Sequence, residues 1–322
     1  MSSLIEQAAQ RLEQLRQAGV VVPEIDLPRV LPPDLPPPVA VVAVPVPAAE
    51  APKLDPVAVS RKVDLDLDRI ASNGIVTPNA PRTRLADQYR VIKRPLIANA
   101  TGRGATTLTH GNLIMVTSAV AGEGKSFTSI NLAMSIAAEL DHTVMLVDAD
   151  VARPSVLRVL GLPAGPGLLD ILEGKADMAS VLLRTNVDKL TILPSGSPHP
   201  KATELLASDA MSSLLDDMAT RYPDRIIIFD SPPLLLTTES RVLATHMGQI
   251  VLVVRADNTL QAMVHSALAT IEACPVRMMV LNQAREDASG AYGSGHGYGY
   301  GEGYGYGYGH QPATAEAPAA KS

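Results

Sequence analysis

Six short apolar runs recur between Gly111 and Gln283: "NLIMVTS", "TVMLVDAD", "LTILPSG", "RIIIFDSPP", "QIVLVVRA" and "RMMVLNQ". Several are rich in β-branched residues, and each is bounded by polar residues or by Gly and Pro. Longer stretches beside them, "KSFTSINLAMSIAAEL" and "TLQAMVHSALATIEA", carry helical patterning. A strand apolar at consecutive positions is buried on both faces, and strands alternating with helices form a parallel sheet covered on both sides. The expected fold class is therefore α/β, a mostly parallel sheet flanked by helices on both faces. In such sheets ligands bind at the carboxyl ends of the strands.

The flanks have a different character. Residues 1–20 place Leu4, Ile5, Ala8, Leu12 and Leu15 at helical spacing, which predicts an amphipathic helix. It reads either as a terminus without a role or as a docking helix for a partner. Residues 21–60 hold eleven prolines between Pro23 and Pro56 and predict an extended linker. Residues 61–288 form the folded domain, and in residues 289–322 the core-forming residues vanish, so a disordered Gly/Tyr-rich tail is expected.

Composition excludes some partners and compartments. A formal net charge of −6 over 322 residues leaves no basic footprint, so no nucleic-acid partner is expected. The lone Cys274 has no partner for an internal disulfide and reads as a buried small residue. No basic-then-apolar leader opens the chain. No apolar run of about 18 residues occurs, because "PPPVAVVAVPVPAAEAP" is interrupted by prolines. A cytoplasmic protein is expected, brought to a membrane only by a partner. The histidines show no metal-ligand spacing.

The run "NLIMVTS" leads into Ala119-Val120-Ala121-Gly122-Glu123-Gly124-Lys125-Ser126 and then a helix. Small residues let backbone amides turn towards an anion, and the helix N-terminus adds favourable partial charge. Lys125 reaches the β and γ phosphates in this pattern, and Ser126 holds Mg²⁺. Ala119 replaces the first Gly of G-x-x-x-x-G-K-[ST]. Two further strands end in acids: Asp148 and Asp150 after "VMLV", Asp230 after "RIIIF". Strand ends of a parallel sheet share one edge, so all three carboxylates can converge on one Mg-nucleotide. The bland alternative, weaker for all three together, is an Asp that caps a strand or forms a turn.

These residues resemble the bacterial tyrosine autokinases of capsule and exopolysaccharide synthesis, a branch of the P-loop NTPases that includes the MinD and ParA proteins. The resemblance runs over roughly residues 80 to 290. "SAVAGEGKS" is similar to the family's Walker A loop, "LVDADVARP" to its second Asp-containing motif and "IIIFDSPP" to its Walker B motif. The tyrosine-rich C-terminus is the fourth shared feature. The short helix before a proline-rich stretch is similar to stand-alone kinases of exosortase-type polysaccharide systems. Ala152 stands where the second motif usually has Arg, with Arg153 following. "DQYRVIKR" is similar to a self-association segment E-x-x-R-x-x-R, with Asp87 for Glu, Arg90 matching and Lys93 for the second Arg. An assembly ATPase of the MinD/ParA type is the alternative, but its signature Lys is replaced by Val120. Neither H-R-D nor D-F-G occurs, which excludes a eukaryotic-type kinase.

The resemblance implies an ATP- and Mg²⁺-dependent protein-tyrosine kinase that phosphorylates its own tail. The catalytic set is Lys125, Asp148, Asp150 and Asp230. Ser126 with Asp150 or Asp230 holds the metal, and Asp148 orients or deprotonates the phenol. Nucleotide contacts come from Ala121, Gly122, Glu123, Gly124, Lys125, Ser126 and Phe127, with Asn282 on the adenine side. The acceptors are Tyr292, Tyr298, Tyr300, Tyr304, Tyr306 and Tyr308, flanked by glycines that leave the backbone free to be drawn in. A Gly/Tyr segment serving weak self-association is the competing reading. The implied partners are a membrane polysaccharide copolymerase, as activator, and further copies of the chain.

Overall fold

The computed structural model describes residues 60–78, 82–104, 107–221 and 224–285. The expected N-terminal helix, most of the proline-rich linker and the tyrosine tail lie outside the described residues. The strands are β1 (Arg61–Val63), β2 (Leu113–Ser118), β3 (Thr143–Asp148), β4 (Leu183–Thr185), β5 (Leu190–Leu193), β6 (Arg225–Asp230), β7 (Gln249–Arg255) and β8 (Val276–Asn282). The helices are α1 (Leu67–Ser72), α2 (Arg84–Ala100), α3 (Lys125–Ala137), α4 (Val156–Leu160), α5 (Leu168–Leu172), α6 (Met178–Val181), α7 (Ala202–Leu206), α8 (Asp209–Arg221), α9 (Glu239–Ala244) and α10 (Gln261–Ala269).

Among the described residues the strands form one sheet in the order β1-β4-β5-β3-β6-β2-β7-β8. Every pairing is parallel except β4 with β5. The six apolar runs became β2, β3, β5, β6, β7 and β8. β1 and β4 escaped sequence reading because "RKV" and "LRT" are three residues each and half-exposed, with no apolar run to signal them.

Alternation along the central strands divides the core into two layers, since successive side chains point to opposite faces. One holds Leu113, Met115, Met145, Val147, Ile227 and Phe229 and packs against α8, α9 and α10. The other holds Ile114, Val116, Val144, Leu146, Ile226 and Ile228 and packs against α1, α2 and α3. β2 is buried at all six positions, as a central strand of a doubly covered sheet must be.

α3 carries ten consecutive buried residues, Thr128 to Ala137, because it lies between the sheet and α2. Lys93 of α2 corrects an expectation. Its side chain is 5% exposed and donates to the Ser135 carbonyl at 2.5 Å while pairing with Glu139 at 2.6 Å. It is spent bolting α2 to the end of α3, so it does not offer the charge of a self-association surface. The Lys93 ammonium holds the Glu139 carboxyl below its usual range. Asp87 and Arg90, by contrast, form an exposed pair at 2.6 Å.

Candidate active site

The phosphate loop leaves β2 and turns through two left-handed glycines, Gly122 at φ +85° and Gly124 at φ +94°, the latter capping α3. Ala119 is fully buried and is not among the positive-φ residues, so this position tolerates a Cβ where the motif has Gly. Glu123 turns inward and is 1% exposed. Its carboxylate accepts from the Val120 N–H at 2.8 Å, the Arg255 N–H at 3.3 Å and the Thr259 hydroxyl. Asn282, at the end of β8, donates to the Glu123 carbonyl at 2.9 Å. Its amide lies so close to Gly124 that any Cβ there would collide with it.

Register explains the acid cluster. β3 pairs with β6 so that Asp148 and Asp230 are direct Cα partners. Asp148 is buried, and its Oδ2 accepts from the N–H groups of Ser155 (3.0 Å) and Val156 (2.9 Å). Burial, reinforced by the Asp230 charge and opposed by those N–H groups, pushes its carboxyl up to about 7. Asp230 is fully buried and accepts from the Ser129 hydroxyl at 3.1 Å. Burial raises it to about 6, against the pull of Lys125 and the Ser126 hydroxyl. Asp150 instead pairs with Lys125 at 2.7 Å. The hydroxyls of Ser126 and Ser155 bond to each other at 2.8 Å.

Above this cluster is a cavity of about 570 Å³, with Ala121, Gly122, Gly124, Lys125, Ser126 and Phe127 on one wall. Asp150, Arg153, Ser155, Arg158 and Leu236 stand among the facing residues. Not every expected site residue reaches this cavity. Asp148 and Asp230 lie buried outside its lining, Glu123 braces the loop to the end of β7, and Asn282 braces it to β8. The side chains of Glu123 and Asn282 are therefore struts of the loop rather than walls of the cavity. Ser155, Arg158 and Leu236 were missed because they sit in no recognisable spacing. Leu236 alone left a signal, an apolar residue soon after the paired prolines.

Two oxygens of the acid pair are open to a cation, although among the described residues no group of three or more His, Cys, Asp or Glu side chains is set to hold a metal ion. Asp148 Oδ1 and Asp230 Oδ2 are buried with no hydrogen-bond partner, and hard oxygen donors of this kind suit Mg²⁺.

A parallel sheet whose central strand feeds a phosphate loop into a helix, with acids at the ends of the neighbouring β6 and of β3 beyond it, defines a P-loop nucleotide-binding protein. The family profile described as ParA, NUBPL iron-transfer P-loop NTPase, matches residues 109–193. The chain is 31% identical over 191 residues to the tyrosine-protein kinase CpsD of Streptococcus agalactiae, covering 58% of this chain and 82% of that one. It is 28% identical over 221 residues to the tyrosine-protein kinase YwqD of Bacillus subtilis strain 168, covering 68% and 90% respectively. Other tyrosine-kinase relatives are longer, and the chain spans about a quarter of their length. The solved VpsO kinase domain aligns over 63% of this chain and 100% of its own, at 27% identity and a TM-score of 0.51. The chain belongs to the bacterial tyrosine-protein kinases.

Proposed function

We propose that the chain transfers the γ-phosphoryl group of ATP to tyrosines of its own C-terminal segment, Tyr292, Tyr298, Tyr300, Tyr304, Tyr306 and Tyr308, and thereby regulates exopolysaccharide polymerisation or export. The observation that carries the reading is the buried pair Asp148–Asp230, each with an unpartnered oxygen, beside a phosphate loop whose Lys125 is within reach of Asp150. Nucleotide phosphates lie along the loop N–H groups from Ala121 to Phe127. Lys125 exchanges Asp150 for the phosphates and neutralises the moving group. Mg²⁺ would be held by Ser126 with Asp150 or Asp230, and when bound supplies charge neutralisation on the phosphate oxygens.

In the transfer the phenol oxygen forms a bond to the γ phosphorus while the bond to the β–γ bridging oxygen breaks, leaving ADP. The phenol proton goes to Asp148. A tyrosine with an ordinary value near 10 needs such help to ionise near neutral pH.

Residues 61–288 act as the kinase domain and 289–322 as the acceptor segment in this reading. A Gly-rich segment of about 20 residues has a root-mean-square reach of about 25 Å, enough to enter a neighbouring copy's site. A homo-oligomer is therefore part of the proposal. So is activation by a membrane polysaccharide copolymerase, which brings the kinase to the inner face of the membrane. No helix among the described residues is long and apolar enough to cross a membrane.

Mass spectrometry after incubation with Mg-ATP and the membrane partner tests the reading. Phosphate on the six tyrosines that disappears in Lys125→Met supports it. Free phosphate release with an unmodified tail would replace it with an assembly ATPase.

A further inference from the structure

From Tyr292 to His310 the sequence places glycine at every odd position and a residue with a side chain at every even one, six of these being tyrosines. A segment that needed only freedom to move could carry its glycines in any order. Strict period two is the repeat of a β-strand, in which alternate side chains share a face. Extended, this segment shows all its tyrosines on one side and bare backbone on the other. Tyrosine itself favours strands.

β8 offers a place for such a strand. It ends the sheet, and among the described residues no strand pairs with its outer edge. Its burial alternates along all seven residues. Met278 and Val280 pack on the layer beneath α2 and α3. On the other face Met279 is 59% and Leu281 63% exposed, although their register partners Leu252 and Val254 on β7 belong to the layer under α10. Leu260 and Met263, at the start of α10, are exposed as well. An unpaired edge beside an apolar strip is a template for another strand.

The position of the chain end selects the occupant. β8 closes at Asn282, and the alternating segment begins ten residues later, at Tyr292. That length turns the chain back antiparallel along the strand it has just left. We propose that residues 292–310 pair with β8 of the same chain as a ninth strand, their tyrosine rings covering Met279 and Leu281. A slip of two residues keeps every tyrosine on the same face, so several registers are equivalent on a seven-residue edge. Glycine loses much chain entropy on ordering, which keeps the pairing weak and lets the tyrosines leave it. Phosphate on a ring would set about −1.5 to −2 charges against apolar side chains, so the paired form is that of the unmodified segment.

The pairing does not depend on the kinase reading, and the test is chosen accordingly. Amide hydrogen exchange would be followed in the full chain carrying Lys125→Met, with a synthetic peptide of residues 286–322 as reference. Amides of 292–310 are expected to exchange about tenfold or more slowly in the chain than in the peptide. That protection should survive dilution and disappear in Met279→Asp with Leu281→Asp. It should also disappear when residues 292–310 are shuffled at constant composition, a change that leaves the folded body untouched. Peptide-like exchange in the intact chain, protection that ignores both variants, or protection lost on dilution would each overturn the proposal.

Discussion

The carboxyl ends of β3 and β6 and the outer face of β8 carry opposite imbalances. At the centre of the sheet, Asp148 and Asp230 are ionisable groups removed from water, with one oxygen each left unpartnered. At the margin, Met279 and Leu281 are apolar groups left in it. Either arrangement is unfavourable in isolation, by desolvation in the first case and by apolar hydration in the second. The difference teaches what each region would receive under the two proposals above: cations and phosphates at the centre, an apolar cover at the edge.

The largest expected effect tests the centre directly. Lys125→Met should lower phosphate incorporation on the tail by about 10²–10³-fold or more, measured by mass spectrometry against time. It also strips Asp150 of its cation, so nucleotide binding should weaken along with transfer.

The second prediction turns the buried acids into a pH dependence. An unfolded Asp148 releases its proton near pH 4, whereas the folded one keeps it until about pH 7. Unfolding in that window releases a proton, so the stability of the nucleotide- and metal-free chain falls as pH rises through it, by about 1.4 kcal/mol per pH unit for each such proton. Asp148→Asn keeps an acceptor for Ser155 and Val156 and should flatten the slope, making the variant the more stable chain at pH 8 by up to about 4 kcal/mol. The same change should abolish tyrosine transfer if Asp148 takes the phenol proton. Denaturant titrations at several pH values, paired with the phosphorylation assay, decide both.

A smaller loss is expected from Glu123→Ala, which leaves the N–H groups of Val120 and Arg255 and the Thr259 hydroxyl without their acceptor. It should cost about 2–4 kcal/mol by chemical denaturation, with part of this restored in Glu123→Gln. At the edge the expected change is smallest. Met279→Ser should shift stability by no more than about 0.5 kcal/mol, whereas Met115→Ser, in fully buried β2, should cost several times that. A large loss from Met279→Ser would mean that β8's outer face is already part of the core.

Six strands, the phosphate loop and the three acids were legible because each rests on local pattern: consecutive apolar residues, small residues before Lys125 and Ser126, and acids directly after strands. Asp150 beside Lys125 follows from that pattern together with strand order. Ser155, Arg158 and Leu236 were not legible, because Ser155 and Leu236 lie in connecting segments and Arg158 in the five-residue α4, all too short for periodicity, and they meet the cavity only once the sheet has ordered these segments around it. Lys93 shows the opposite failure. Its spacing from Asp87 and Arg90 was visible, but the depth of α3 against α2 was not, and that depth turned an apparent surface charge into a buried strut.

The chain's sequence determined by itself that a parallel sheet would deliver a phosphate loop and carboxylates to one edge, because apolar runs, glycines and strand-terminal acids are short-range signals. Only the tertiary structure decided that Asp148 and Asp230 would stand side by side, that Glu123 and Asn282 would brace the phosphate loop, and that the other described residues would leave one side of β8 uncovered. These depend on strand register and helix packing between residues more than a hundred positions apart in some cases, as with Glu123 and Asn282. No local pattern encodes such distances, since it is the shared burial of the whole sheet that brings them together.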